Sequence, residues 1–190
     1  DNVMQLRTQH LNERFELYRF LRRTLLVGVD VDENFLSSPG APVIKGLVGG
    51  DWFDAEQKGG TGSFPFQGRF NMIIVSNSRL RVRLQGDIGA WRRRMLLVRY
   101  EAPPPAKQIN DFADMLIREE GSGILNWALE GLSLLLADIA EIGDIRLTER
   151  QRGLVDSLLA ESDSLRTFLR ERIERADGEA LTTSEIVERY

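Results

Sequence analysis

The sequence predicts an α/β chain: a parallel sheet with flanking helices and a β-hairpin, followed by an all-α C-terminal tail. Three observations carry that reading. Continuous apolar runs recur at 25–29, in "FNMIIVS" at 70–76 and in "MLLVRY" at 95–100. Runs of this length without polar alternation read as strands buried on both faces of a sheet. Between the first two, aromatic-rich arms flank "QKGGTG", the pattern of a hairpin. Beyond Gln108 the apolar spacing becomes helical.

Element by element, Leu11, Phe15, Tyr18 and Leu21 recur every three or four residues and predict an amphipathic helix over about 6–22. The run 25–29 follows and ends on Asp30, with Asp32 two residues on. "SSPGAPVIKGLVGGD" predicts turns, a short helix around 43–48 and a Gly-Gly stop. The hairpin spans 52–70, with Lys58 at its tip. The second strand ends at Asn77. "SRLRVRL" alternates Arg with apolar residues, as a half-buried strand or an extended loop does, and "GDIGAWRRR" reads as a helical turn. "MLLVRY" is the third strand, closed by the prolines of "EAPPPAK", where no strand continues. Helices are expected at about 108–119, 123–140, 148–160 and 162–175. "TTSEIVERY" begins another, with Thr182 or Thr183 as N-cap. The main boundary is expected near 141–147, dividing 1–141 from a helical region at 142–190.

The 190 residues are 42% hydrophobic and 28% charged, an ordinary globular balance. The absence of cysteine excludes a disulfide scaffold and thiolate metal sites, and fits a reducing cytoplasm. The single histidine, His10, lies in a polar stretch and reads as a surface residue. No apolar stretch runs uninterrupted for about 18 residues, so no membrane-spanning helix is expected. No basic segment followed by an apolar one opens the chain as a signal peptide would.

The net charge of −4 hides a strong asymmetry. Residues 69–99 carry eight arginines against the single acid Asp87, a local net of +7, whereas 100–190 carry 19 acids against 10 bases, a net of −9. The basic middle suggests a polyanionic partner, nucleotide phosphate or nucleic acid. A merely solvated arginine face would interleave glutamates, and this one does not.

Three predicted strands meet polar residues: Asp30 after the first, Asn77 after the second, and Arg92, Arg93 and Arg94 before the third. In open α/β sheets ligands bind at the carboxyl ends of the strands. An Asp there can hold the water shell of Mg²⁺, and Asp32 shares its face if the strand continues. An Asn can hydrogen-bond the attacking water or a γ-phosphate, and an arginine stabilises charge in phosphoryl transfer.

The segments "LRTQHLNERFEL", "LLVGVDVDENFL", "IKGLVGGDWFDAEQKGG", "FNMIIVSNSRL", "GAWRRRMLLVRYE" and "EEGSGILNWALEGL" together resemble, in order over about 6–136, one helicase family. It is the phage and plasmid primase-helicases of superfamily three, within the AAA+ ATPases. The resemblance implies a partial AAA+-type core that uses ATP and Mg²⁺. It implies Asp30, with Asp32, as the Walker-B element and Asn77 as sensor one. Arg93 or Arg94 becomes the arginine finger reaching a neighbouring subunit's ATP, with Arg92 read as a surface residue. It also implies a homo-oligomeric ring, a hexamer, acting on single-stranded or forked DNA, in the cytoplasm of a bacterial host and without a membrane. In that family a hairpin between Walker B and sensor one grips DNA in the central channel; the matching cations are Lys45 and Lys58.

One departure is serious: no G-x-x-x-x-G-K-[ST] phosphate loop exists in these residues, and "GGTGS" lacks the lysine and sits at a hairpin tip. The phosphate loop, with or without a primase domain, is therefore expected in an N-terminal part preceding Asp1. The tail resembles the helical start of the region after the helicase core, which in relatives continues into a winged-helix-like module. Two alternatives stand beside the helicase: a non-catalytic AAA+-like module for DNA binding or oligomerisation, and an α/β domain of other role.

Overall fold

The computed structural model of the chain describes residues 2–82, 88–174 and 176–189. The last residues of "SRLRVRL" and the Gly86 and Asp87 of the expected helical turn lie outside the described residues. The chain forms two units, one of Asp1–Leu96 with Leu154–Tyr190 and one of Leu97–Gly153, a division that does not coincide with the expected one near 141. The first unit holds, in chain order, β1 (Val3–Gln5), β2 (Leu25–Gly28), α1 (Ala41–Gly49), β3 (Trp52–Glu56), β4 (Ser63–Gln67), β5 (Asn71–Ile74) and α2 (Ile88–Arg92). The second is dominated by α3 (Phe112–Ile142). Helix α4 (Glu149–Ser162) runs from the second unit into the first, where α5 (Ser164–Arg172) and α6 (Thr183–Arg189) follow. The protein is thus mixed α/β, with a small parallel sheet, several helices and one long helix in the C-terminal half.

The sheet has the order β1-β2-β5, all parallel, with Val3 opposite Leu25 and Leu25 opposite Asn71. Two sequence expectations fail here. "MLLVRY" forms no strand, and Leu96, Val98 and Tyr100 are exposed. The central strand β2 has two edges, and β1, which the sequence did not announce, fills the one that β5 leaves. Nor is the sheet covered on both faces throughout: Ile73 and Val75 are each 51% exposed, while Leu26 of β2 is fully buried.

The amphipathic helix expected over 6–22 is also absent. Two 3₁₀ turns, Thr8–His10 and Leu17–Phe20, stand in its place. The cause is a buried carboxylate. Glu16 is fully buried and is held by Arg7, whose Nε lies 3.1 Å from both carboxylate oxygens and whose Nη2 also donates, and by Arg19 Nη1 at 2.7 Å. In a continuous helix, residues nine apart are about 13 Å apart along the axis, too far for that pairing. The chain folds back on itself, and Leu11 and Phe20 are buried with Glu16.

The short central helix and the hairpin form as expected. Helix α1 carries a proline in its first turn and ends at Gly50, whose φ of 92° supplies the left-handed cap. Strands β3 and β4 pair antiparallel from Trp52–Gln67 to Glu56–Ser63. The hairpin sits directly on α1. A Cβ at Gly68 would lie 2.6 Å from the Gly46 carbonyl oxygen and 2.7 Å from Leu47 Cα; one at Gly46 would lie 2.6 Å from Phe53. Phe70 then donates its N–H to the Leu47 carbonyl (3.1 Å), and Asn71 donates to Thr24 (3.0 Å), which starts β5 beside β2.

In the second unit, the two helices expected at 108–119 and 123–140 are one continuous helix of 31 residues. Gly121 and Gly123 each cost about 1 kcal/mol relative to alanine, and the surrounding Leu, Met, Ala and Glu outweigh them. Joined, the segment is long and apolar enough to cross a membrane by length and composition, with a window of mean hydropathy 1.3. At the C-terminal end, Thr182 rather than Thr183 caps α6: its Oγ1 accepts from the Glu185 N–H (3.3 Å), and its own N–H donates to Glu185 (2.8 Å).

Gly68→Ala is expected to lower stability by about 2 kcal/mol in urea unfolding, because the added methyl meets immovable backbone. The Thr182 hydrogen bonds hold the Glu185 carboxyl below its ordinary range. A depressed folded-state value means the capping contribution is complete above the ordinary carboxylate range and lost as pH falls through the lowered one. Helicity of α6 and the protection of its amides relative to their intrinsic exchange rates are therefore expected to fall on acidification, with Glu185→Gln already less protected at neutral pH.

Candidate functional site

Strand β2 leaves the sheet through Gly28, and the chain turns at once. A Cβ at Gly28 would lie 3.0 Å from Val31 Cγ2, and Asp30 adopts a left-handed conformation with φ 53°. The turn returns Val31 to the sheet: its N–H bonds the Val75 carbonyl (2.9 Å), and its own carbonyl accepts the Ser76 hydroxyl (2.7 Å). Asp30 is thereby set beside the end of β5, and Asn77 Nδ2 donates to Asp30 Oδ1 at 2.9 Å. Both side chains are exposed at the carboxyl ends of adjacent parallel strands. The second Asp30 oxygen has no protein partner among the described residues.

Asp32 does not share that position. The strand it would have continued ends at Gly28, and the Asp32 carboxylate accepts the Asn34 N–H (2.8 Å) in a local turn. That turn leads into a 3₁₀ segment, Phe35–Ser37, against which the chain after Asn77 packs: Ser37 donates to the Arg81 carbonyl (2.9 Å), and Arg81 pairs with Glu33 (3.4 Å). Residues 78–82 are therefore an extended loop.

The arginines separate into engaged and free. Arg79 pairs with Glu161 (2.9 Å) and donates to Ser157 (3.0 Å), and Arg92 pairs with Asp156 (2.7 Å), all three partners lying on α4. Arg99 pairs with Glu101 (3.6 Å). Arg94 bonds the Ala90 carbonyl (3.0 Å), and its guanidinium lies where a Cβ on Gly49 would be, 2.8 Å away. Arg93 and Arg69 are exposed and have no carboxylate partner among the described residues. Carboxylates distant in the sequence, Glu33, Asp156 and Glu161, thus offset three of the arginines that the local sequence leaves unopposed.

The two lysines are not equivalent. Lys58 is exposed at the hairpin tip, without a partner among the described residues. Lys45 is not on the hairpin; it is half-buried on α1 with its ammonium 5.7 Å from the centre of the Trp91 ring. No local signal announces a contact between residues 46 apart in the chain. His10 is a partly exposed side chain paired with Glu13 (2.6 Å), as expected of a surface residue.

A Mg²⁺–nucleotide site of the kind the resemblance implies would find one side here: a carboxylate with an open oxygen, oriented by an amide. No group of three or more carboxylates or histidines gathers among the described residues, nor does a phosphate-cradling loop. A cleft of about 550 Å³ lies between α5 and α6, lined by Phe168, Arg172, Ile173 and Ile186 among others, and none of the residues above lines it.

Asp30→Asn is expected to leave stability within about 0.5 kcal/mol of the parent, since asparagine tolerates the left-handed conformation, whereas Asp30→Val is expected to cost 1 kcal/mol or more, about the penalty of that conformation. Parallel urea denaturation of the two variants checks it. No family model matches the chain and no curated protein does, so the resemblance to the helicase family rests on the sequence motifs alone.

Proposed function

We propose that the chain is part of an ATP-dependent DNA helicase of the phage and plasmid primase-helicase type, working as a ring in the cytoplasm of a bacterial host. The observation that carries the reading is the Asn77–Asp30 hydrogen bond at the ends of parallel β2 and β5. Asp30 would hold the water shell of Mg²⁺, and Asn77, which fixes that carboxylate, would serve as the polar residue that orients the attacking water. Bound Mg²⁺ would neutralise charge on the β- and γ-phosphate oxygens. Asp32, whose carboxylate is occupied in its own turn, is left to position Asp30 through the loop.

Of the two candidate fingers the arrangement favours Arg93. A residue acting on a neighbour's nucleotide needs a free guanidinium, and Arg94 is tied to Ala90 and laid over Gly49. Lys58 is the DNA contact on the hairpin, and the engaged Lys45 is secondary to it. The 190 residues hold no phosphate loop, so this reading requires one from outside them. In protein joined to that loop, Arg93→Ala is expected to remove ATP hydrolysis, by at least about 1,000-fold, while sparing ATP binding. Unchanged turnover would sink the assignment.

The hairpin is tested on the chain as it stands. Fluorescence anisotropy with a labelled oligothymidine should show weaker binding by Lys58→Ala, with the salt slope reduced by about 0.7, one single-strand phosphate contact. An unchanged slope removes Lys58 from the interface. The lack of a phosphate loop favours a second reading, a non-catalytic DNA-binding or assembly module. It is distinguished by retained DNA binding and absent ATP binding in protein that includes the preceding segment.

A further inference from the structure

We infer that two carboxylates of α4, Asp156 and Glu161, compete with the phosphates of single-stranded DNA for Arg92 and Arg79, so that the strand engages these arginines by displacing them. The inference rests on the reading of the chain as one that binds single-stranded DNA. It deepens that reading by naming two further cations and what holds them back.

Helix α4 does not need these carboxylates in order to dock. Val155, Leu158 and Leu159 are buried, and the Ser162 hydroxyl accepts the Val82 N–H (3.1 Å). At about 100° per residue these four positions fall within an arc of roughly 100°, and Asp156 and Glu161 lie about 60° beyond its two ends. There Asp156 meets Arg92 (2.7 Å), and Glu161 meets Arg79 (2.9 Å), whose guanidinium also donates to Ser157 (3.0 Å). Both pairs are rim contacts, because all four side chains are between 47% and 59% exposed. A strand can therefore reach either guanidinium while α4 stays in place.

The charge pattern indicates what these carboxylates stand in for. Residues 69–99 supply eight arginines against one acid, a density suited to a polyanion. A phosphate offers a guanidinium the same pair of oxygen acceptors that a carboxylate does. An exposed ion pair contributes little, so exchanging one anion for the other costs little. Arg93, the next residue after Arg92, is exposed and has no carboxylate partner among the described residues, which gives a phosphate a first cation to meet. Contacts of this kind are made to the backbone and read no base.

The exchange has a signature in salt dependence. In the parent chain, the counterion that a phosphate releases is offset by one gathered around the displaced carboxylate. Neutralising that carboxylate removes the offset. In fluorescence anisotropy with a labelled oligothymidine, Asp156→Asn and Glu161→Gln are each expected to bind about fivefold more tightly than the parent, the upper worth of one exposed pair. Each is also expected to steepen the salt slope by about 0.7, one single-strand phosphate. Arg92→Ala is expected to cancel the gain of Asp156→Asn, and Arg79→Ala that of Glu161→Gln. Glu188→Gln removes one charge from an exposed carboxylate with no basic partner among the described residues, and is expected to change affinity by less than about twofold. Parent-like affinity and slope in either neutralised variant, an equal gain in Glu188→Gln, or a gain that survives loss of the arginine would each overturn the exchange. An ineffective Lys58→Ala counts against the hairpin alone, whereas absence of binding in the parent and in every variant overturns both readings.

Discussion

The contact on which the rest of the first unit depends is backbone against backbone, where residues 68–70 cross the last turn of α1. It exists because Gly46 and Gly68 have no side chains: a methyl at either would stand 2.6 Å from a neighbouring atom. That approach fixes where the hairpin sits, with Gln67 donating to the Gly50 carbonyl (2.8 Å) and Gly68 to Asp51 (2.7 Å). It also fixes where the chain leaves the hairpin. Phe70, buried against Phe20 and Phe66, is the pivot, and the next residue begins β5 in register with β2. The pairing of Asp30 with Asn77 is thus a distant consequence of two missing β-carbons.

Charge plays a different part in each half of the chain. In the first twenty residues a single buried carboxylate gathers Arg7 and Arg19 and decides the local backbone. Turns that satisfy Glu16 displace the helix its apolar spacing would support. Farther along, Arg79 and Arg92 instead meet carboxylates from α4, the helix that also buries Val155, Leu158 and Leu159. These pairs are exposed, and such pairs contribute little stability. Their effect is local: Arg79 and Arg92 are occupied, while Arg93, Arg69 and Lys58 are among the cations with no carboxylate partner in the described residues.

Asp30 combines two roles that usually conflict. A left-handed backbone at a non-glycine residue is held only where its surroundings determine it. Here Val31 is buried and bonded into the ladder on one side, while Gly28 permits the tight exit from β2 on the other. The strained residue is thereby the one whose carboxylate is exposed at the carboxyl end of the sheet, against Asn77. Helix α3 contrasts with this: none of its described residues is buried, and large apolar side chains such as Leu129, Trp127 and Leu134 are exposed around it.

Much of the secondary structure was legible because it is local. The Pro-led, Gly-stopped α1, the hairpin about "QKGGTG", the Thr182 cap of α6 and the helical spacing of the C-terminal half are each set by residues within a turn of one another. The residues at the strand ends, Asp30 and Asn77, were legible from their positions after apolar runs. Their hydrogen bond was not, because it spans 47 residues and depends on the Gly46–Gly68 approach. Long-range competition decided the rest. Strand β1 rather than "MLLVRY" took the free edge of β2, Glu16 overrode a helix, α4 neutralised arginines that looked unopposed, and Lys45 turned to Trp91. Periodicity reports what a segment can bury; only the packed chain determines which of several apolar segments takes a given edge, and which charges find a partner.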